Sequence, residues 1–122
     1  MKSSLIRHRS DARPIDCPFG HVQRMVTGGE GGVANVHVVR VTQGLPHKHA
    51  AYDEVYYFLG GEGEMTVGAL TERVRPGSVA VIPAGTPHSL AADKDGALEF
   101  IIFGTPPIPI DDPRAAPQRV DP

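Results

Sequence analysis

Within "HKHAAYDE" the chain places His47, His49 and Glu54, and a third histidine, His88, closes the turn "PAGTPH" farther on. Neutral imidazole nitrogens and a carboxylate oxygen are ordinary ligands of one divalent transition metal ion such as Fe, Mn, Ni, Co or Zn. Three such nitrogens and one carboxylate leave a net charge near +1, and an ion that prefers six ligands keeps two positions open for water or substrate. An ion of this kind orients a bidentate substrate, polarises its carbonyl or hydroxyl and, if redox-active, can bring dioxygen to it. His-x-His alone is a weak signal, because exposed alternation in a strand produces it readily. The combination with Glu54 and His88 is far less common by chance.

The elements that must position these groups follow from strand geometry. Side chains alternate faces along a strand, so His47 and His49 share a face if residues 46–50 are extended. Glu54 lies at an odd offset from His49, and "AAYD" must therefore bend or bulge before the carboxylate can rejoin the imidazoles. His88 is delivered by "PGSVAVIPAGTPHSL", in which Gly77 permits a tight turn, Pro83 and Gly85 reverse the chain, and Pro87 stiffens the approach. From Glu54 onward, period two puts Glu54, Tyr56 and Phe58 on one face. Tyr56 is the candidate catalytic residue, since its phenol can donate a hydrogen bond or a proton beside the ion. The competing reading is a buried tyrosine that only fills the interior. Met65 and Val67 are expected to line the same interior and to make the pocket mostly apolar.

The rest of the chain reads as all-β. Fourteen glycines and twelve prolines punctuate short Val- and Ile-rich runs, and no apolar stripe keeps helical period for three turns. The expected strands are 34–41, 54–59, 64–67, 71–75, 78–82, 88–91 and 97–103, separated by turn signals such as "GGEG", "RPG" and "ADKDG". A sheet of this kind must fold over or close to bury one face, as a sandwich or a barrel. Residues 1–20 read as an N-terminal arm and 21–104 as the single folded domain. Residues 105–122 form a tail with half of the prolines, expected to wrap the surface in extended form or to stay mobile.

Composition narrows the function classes. The 122 residues, 40% hydrophobic and 21% charged, suit one globular domain, and a formal charge of -2 is too small to gather nucleic acid or anionic lipid. The cluster Lys2, Arg7, Arg9 and Arg13 reads as solvated, so neither a nucleic acid nor a membrane partner is expected. A lone cysteine, Cys17, and the lack of an apolar leader-like segment give a cytoplasmic expectation.

The spacing His47-x-His49, four residues, Glu54, six residues, Gly61 resembles the first motif of the cupin superfamily. The spacing Gly77, five residues, Pro83-x-Gly85, two residues, His88 resembles the second. Two positions depart from the pattern: Val41 stands where the first motif has glycine, and Ala92 stands where the second ends in asparagine. Neither is a ligand position, so the departures bear on turn geometry. The resemblance covers about residues 34–103. It implies a small jelly-roll β-barrel (a double-stranded β-helix) with His47, His49, Glu54 and His88 as metal ligands inside and the open positions facing its mouth.

It also implies pairing of two barrels into a homodimer. The run "ALEFIIFG" agrees with this, since Leu98, Phe100 and Ile102 lie on one face and Ile101 and Phe103 on the other, both wanting burial. Cover by the N-terminal arm is the equal alternative.

Small bacterial cupins similar to mannose-6-phosphate isomerase carry phrases like "GEGEMTVG…RPGSVAVIPAGTPHSL". A phosphosugar site needs an inward cation, and Arg40 is the one candidate supplier. Three functions fit these features: a metalloenzyme of oxygenase or isomerase/lyase type acting on a small oxygen-rich substrate, a non-catalytic binder of a sugar or hydroxy acid, and a structural metal cupin.

Overall fold

The computed structural model describes residues 4–30 and 32–120. The strands are, in order, β1 (Ile15–Cys17), β2 (Gly20–Val26), β3 (Asn35–Val41), β4 (Gln43–Lys48), β5 (Asp53–Gly60), β6 (Gly63–Val67), β7 (Leu70–Val74), β8 (Val79–Ile82), β9 (His88–Ala92), β10 (Leu98–Thr105) and β11 (Gln118–Arg119). Only short 3-10 turns interrupt them, at Arg9–Asp11, Gly28–Glu30 and Pro113–Ala115. Among the described residues no helix is long and apolar enough to cross a membrane.

The strands form two antiparallel sheets, one ordered β1-β2-β3-β10-β5-β8 and the other β11-β4-β9-β6-β7. Together they make a jelly roll. The seven expected strands all appear, as β3 and β5 to β10, with ends shifted by no more than two residues. Sequence reading did not place β1, β2, β4 or β11.

The core lies between the sheets. Leu98 and Phe58 are fully enclosed, and Val39, Val41, Tyr56, Ile82 and Phe100 join them from the six-stranded sheet, opposite Met65, Val74 and Leu90 from the other. Tyr56 stacks on Phe100 with ring centroids 4.8 Å apart, and Phe58 packs on Phe100 at 5.2 Å. Burying side chains of this size contributes roughly 1.5–3 kcal/mol each.

Register sorts the inner face of the six-stranded sheet into cross-strand rows. Val39, Phe100 and Phe58 form one row. The next holds Arg24, His37, Ile102, Tyr56 and Ala80. The last holds Asn35, Gly104, Glu54 and Ile82. The inner face is thus apolar toward one end of the barrel and polar toward the other.

The outer face is covered in part by the N-terminal segment. Gln23 is buried there, its amide donating to the carbonyls of Arg9 and Ala12, and Arg9 reaches Glu99 on β10 at 3.0 Å. Beyond that cover, Tyr57, Val79 and Val81 are 44%, 62% and 64% exposed, so this part of the sheet keeps an apolar outer face.

The C-terminal segment folds back across the polar end. β11 pairs with β4, matching Gln118 to Lys48 and Arg119 to His47, and the Asn35 amide donates to the Ile108 carbonyl at 2.9 Å.

Candidate metal centre

His47 and His88 face each other as register partners on β4 and β9, with ring centroids 4.2 Å apart. β4 ends at Lys48, and the chain then bends through Ala50 and Ala51 before β5 begins at Asp53. That bend returns Glu54 to the side of the imidazoles, as its odd offset demanded.

The turn before His88 is fastened to the same bend. The Gly85 amide donates to the His49 carbonyl at 2.7 Å, and the Ala84 amide donates to the Asp53 carboxylate at 2.8 Å. Gly85 has φ of 82°, a conformation most side chains resist, so glycine is what allows this docking. Two distant stretches of chain are thereby locked together before any ion binds.

One nitrogen each from His47, His49 and His88 can be chosen so that all lie within 4.8 Å of one another. Glu54 Oε1 lies 3.3 Å from Nε2 of His88 and 3.5 Å from Nε2 of His49. The structure therefore brings all four expected residues to one place.

The outward nitrogens set the tautomers. His47 Nδ1 is 2.7 Å from the Leu45 carbonyl oxygen and His88 Nδ1 is 3.0 Å from that of Thr86. A carbonyl only accepts, so each Nδ1 carries the proton and each Nε2 is left with a lone pair. His49 Nδ1 is 2.6 Å from the Tyr52 hydroxyl, which donates in turn to the Ala115 carbonyl at 3.2 Å. The Tyr52 oxygen must then accept from His49, with the same result.

Burial lowers the pKa of His47, and lowers that of His49 to about 4, so both rings are neutral at neutral pH. With its Nδ1 on the Thr86 carbonyl, His88 turns Nε2 toward Glu54 Oε1 across 3.3 Å. Both atoms are buried with no hydrogen-bond partner among the described residues. Two acceptors in that position call for a cation between them, and the donor set fits a divalent transition ion.

Two cavities border the cluster. The polar one, about 320 Å³, is lined by His49 and Glu54 together with Arg24, Asn35, His37 and Tyr52. The apolar one, about 480 Å³, is bounded by residues such as Phe19, Val41, Leu90 and Phe100. His47, Tyr56, Ile102 and Pro117 line both. Tyr56 is 4% exposed, and burial together with Glu54 raises its phenol well above the usual range, so it keeps its proton.

Two expectations need correction. Arg40 is exposed on the outer face, in register with His21 and Glu99, because the inward residues of β3 are His37, Val39 and Val41. The cation that borders the cavity beside Glu54 is Arg24, an exposed residue at its rim, directly opposite His37 on a strand the sequence reading did not place. Met65 and Val67 do face the interior, but they line a third cavity with Val74 and Ala80, where the edge strands β7 and β8 meet, rather than either cavity beside the histidines.

Tyr52 was also missed. Its position three residues after His49 was the available signal, but its hydroxyl is placed by the Ala115 carbonyl, far along the chain.

The structure resembles ectoine synthase from P. lautus, with a TM-score of 0.77 at 18% identity, covering 87% of this chain and 80% of that one. It also resembles Bacillus subtilis oxalate decarboxylase, in a structure concerned with its Mn(II) centres. There the TM-score is 0.68 at 24% identity, over 78% of this chain and 28% of that one. In sequence, the chain is 36% identical over 61 residues to an uncharacterized protein of Streptomyces coelicolor. That match spans 50% of this chain and 55% of its relative, or about half of each. The family model described as "Cupin domain" matches residues 34–104, which takes in both histidine segments and every strand from β3 to β10, and the chain belongs to the cupin family.

Proposed function

We propose that the protein is a metal-dependent enzyme acting on a small, oxygen-rich organic substrate, with His47, His49, Glu54 and His88 holding one divalent ion. The observation that carries this reading is the set of three imidazoles whose Nδ1 atoms are tied outward while Nε2 of His49 and His88 meets Glu54 Oε1 beside a cavity. When bound, the ion supplies Lewis acidity for isomerase or lyase chemistry, or a redox centre for an oxygenase. The Mn(II) centres named for Bacillus subtilis oxalate decarboxylase support manganese as one candidate ion for this chain.

The chain's own residues do the rest. Glu54 and the histidines fix the ion, Tyr52 holds the His49 ring, and Tyr56 keeps a phenolic proton next to both cavities, where it can be given to a substrate oxygen. A purely structural ion would sit in a closed site, whereas His47 and Glu54 line open space. We further propose a homodimer formed through the apolar outer face around Tyr57, Val79 and Val81.

The direct test of the enzymatic reading is to determine the metal in protein purified without added divalent cations. Metal-loaded protein is then screened against 2-oxo acids, diketones and sugar derivatives with and without dioxygen. Oxygen uptake supports an oxygenase and oxygen-independent isomerisation or elimination supports the other chemistry. Ligand-induced stabilisation without turnover would make the protein a binder instead.

A further inference from the structure

Two buried polar atoms in the polar cavity remain unexplained by the metal ligands: Asn35 Oδ1 and His37 Nδ1 have no hydrogen-bond partner among the described residues. Asn35, a residue of the cavity lining, is 7% exposed, and its Nδ2 is already committed to the Ile108 carbonyl, which leaves Oδ1 as its unpaired atom. An unpaired buried acceptor of this kind needs an O–H or N–H donor from a ligand.

Beside them stands Arg24. It is in register with His37 and borders the same cavity from an exposed position at the rim. The carboxylates of Glu30, Glu99, Asp93 and Asp112 engage Arg7, Arg9, Arg73 and Arg114. Among the described residues Arg24 has no such partner.

These three residues sit across the cavity from the metal ligands. Asn35 and Glu54 occupy one cross-strand row with Gly104 between them, two strand spacings apart, or about 10 Å. A molecule that places oxygen atoms on the ion therefore reaches Asn35 and His37 with its middle and Arg24 with its far end.

We propose that Arg24, His37 and Asn35 form a recognition wall for a polyhydroxy carboxylic acid, with the carboxylate on Arg24 and hydroxyl groups on Asn35 Oδ1 and His37 Nδ1. This rests on the metal-dependent reading above for the far end of the substrate only. The centre with its ion carries a net charge near +1 and Arg24 adds another, so the cavity favours an anion. A single guanidinium between neutral neighbours suits a carboxylate better than a doubly charged phosphate.

The test is calorimetric titration of metal-loaded protein with three aldonates (gluconate, galactonate and mannonate) and the matching alditols, together with hexanoate and mannose 6-phosphate. At least one aldonate should bind about tenfold or more tightly than its alditol and than hexanoate. Arg24→Gln should abolish the advantage over the alditol at unchanged metal content, and Arg24→Lys should keep part of it. The proposal is overturned if no aldonate outbinds its alditol, if Arg24→Gln binds like the wild type, or if mannose 6-phosphate binds tightest.

Elemental analysis of the same samples separates the two claims. Protein without metal that still discriminates through Arg24 would retain this wall and lose the metal-dependent function. Protein with metal that shows no discrimination would lose the wall alone.

Discussion

The Tyr52 hydroxyl lies 2.6 Å from Nδ1 of His49 and joins it to the Ala115 carbonyl in the C-terminal segment. A residue in the bend between β4 and β5 thus orients a metal ligand and ties the barrel mouth to the chain folded across it. Replacing Tyr52 by Phe keeps the ring stacked on His49 at 4.7 Å but removes both hydrogen bonds. Metal affinity should fall by about 10- to 100-fold, the usual cost of losing a group that orients a ligating histidine. Chelator competition measures this, and circular dichroism should stay unchanged.

Glu54 should change its effect on stability with the state of the site. It is 5% exposed, and Oε1 has no hydrogen bond among the described residues, so metal-free protein buries an unpaired carboxyl oxygen there. Glu54→Gln should leave the metal-free melting temperature equal or higher and shrink the rise produced by saturating metal. Thermal scans with and without added Mn or Zn check both halves.

Metal-free protein should lose stability in mild acid. His49 titrates near pH 4 when folded and near 6.5 when unfolded, because burial disfavours its charged form. Between those values the unfolded chain binds more protons, so unfolding becomes easier as pH falls through 6.5 toward 4. His37 and His47 are lowered too, and they act in the same direction. For His49, lining an open cavity, the loss should be on the order of 2 kcal/mol. Urea midpoints at pH 7 and 4.5 measure it, and His49→Asn should flatten the dependence.

Tyr56→Phe should separate packing from proton transfer. Its ring stacks on Phe100 and meets His88 edge-on with centroids 6.0 Å apart, contacts that phenylalanine preserves. Metal content should be unchanged and stability should move by less than about 1.5 kcal/mol. Turnover, once a substrate is known, should drop roughly 100-fold if the phenol donates its proton, and unchanged turnover retires that role.

Val81→Lys should disrupt the proposed homodimer. Val81 is 64% exposed and pairs with Val55 in the middle of the apolar outer face. Sedimentation velocity should show a dimer for the wild type and a monomer for the variant, with metal content retained, because the face points away from the cluster.

The sequence was most informative where residue type and spacing act locally. Period two from Glu54 put Tyr56 and Phe58 inward with it, and the odd offset from His49 required the bend seen at Ala50 and Ala51. β2 escaped because its alternation is not a contrast of apolar against polar. Val22 and Arg24 are on the cavity side, Arg24 exposed at the rim, while Gln23 on the opposite face is buried under the N-terminal segment.

A polar residue on the cavity side and a polar residue buried outside cancel the usual pattern, and with β2 went Arg24. Arg40 failed as a candidate for the same reason, since only the pairing of β3 with β2 and β10 shows which of its faces is inner. Tyr52 and Asn35 depend on partners far along the chain, Ala115 and Ile108, which no local pattern encodes.

The central claim is that three imidazoles and one carboxylate share an ion. X-ray absorption at the metal edge, on protein loaded with one equivalent of Mn or Ni, tests it most directly. The account predicts an N/O shell with outer scattering from three imidazole rings, falling to two in His88→Ala. A shell of oxygen alone, or a His88→Ala spectrum identical to that of the wild type, would contradict it.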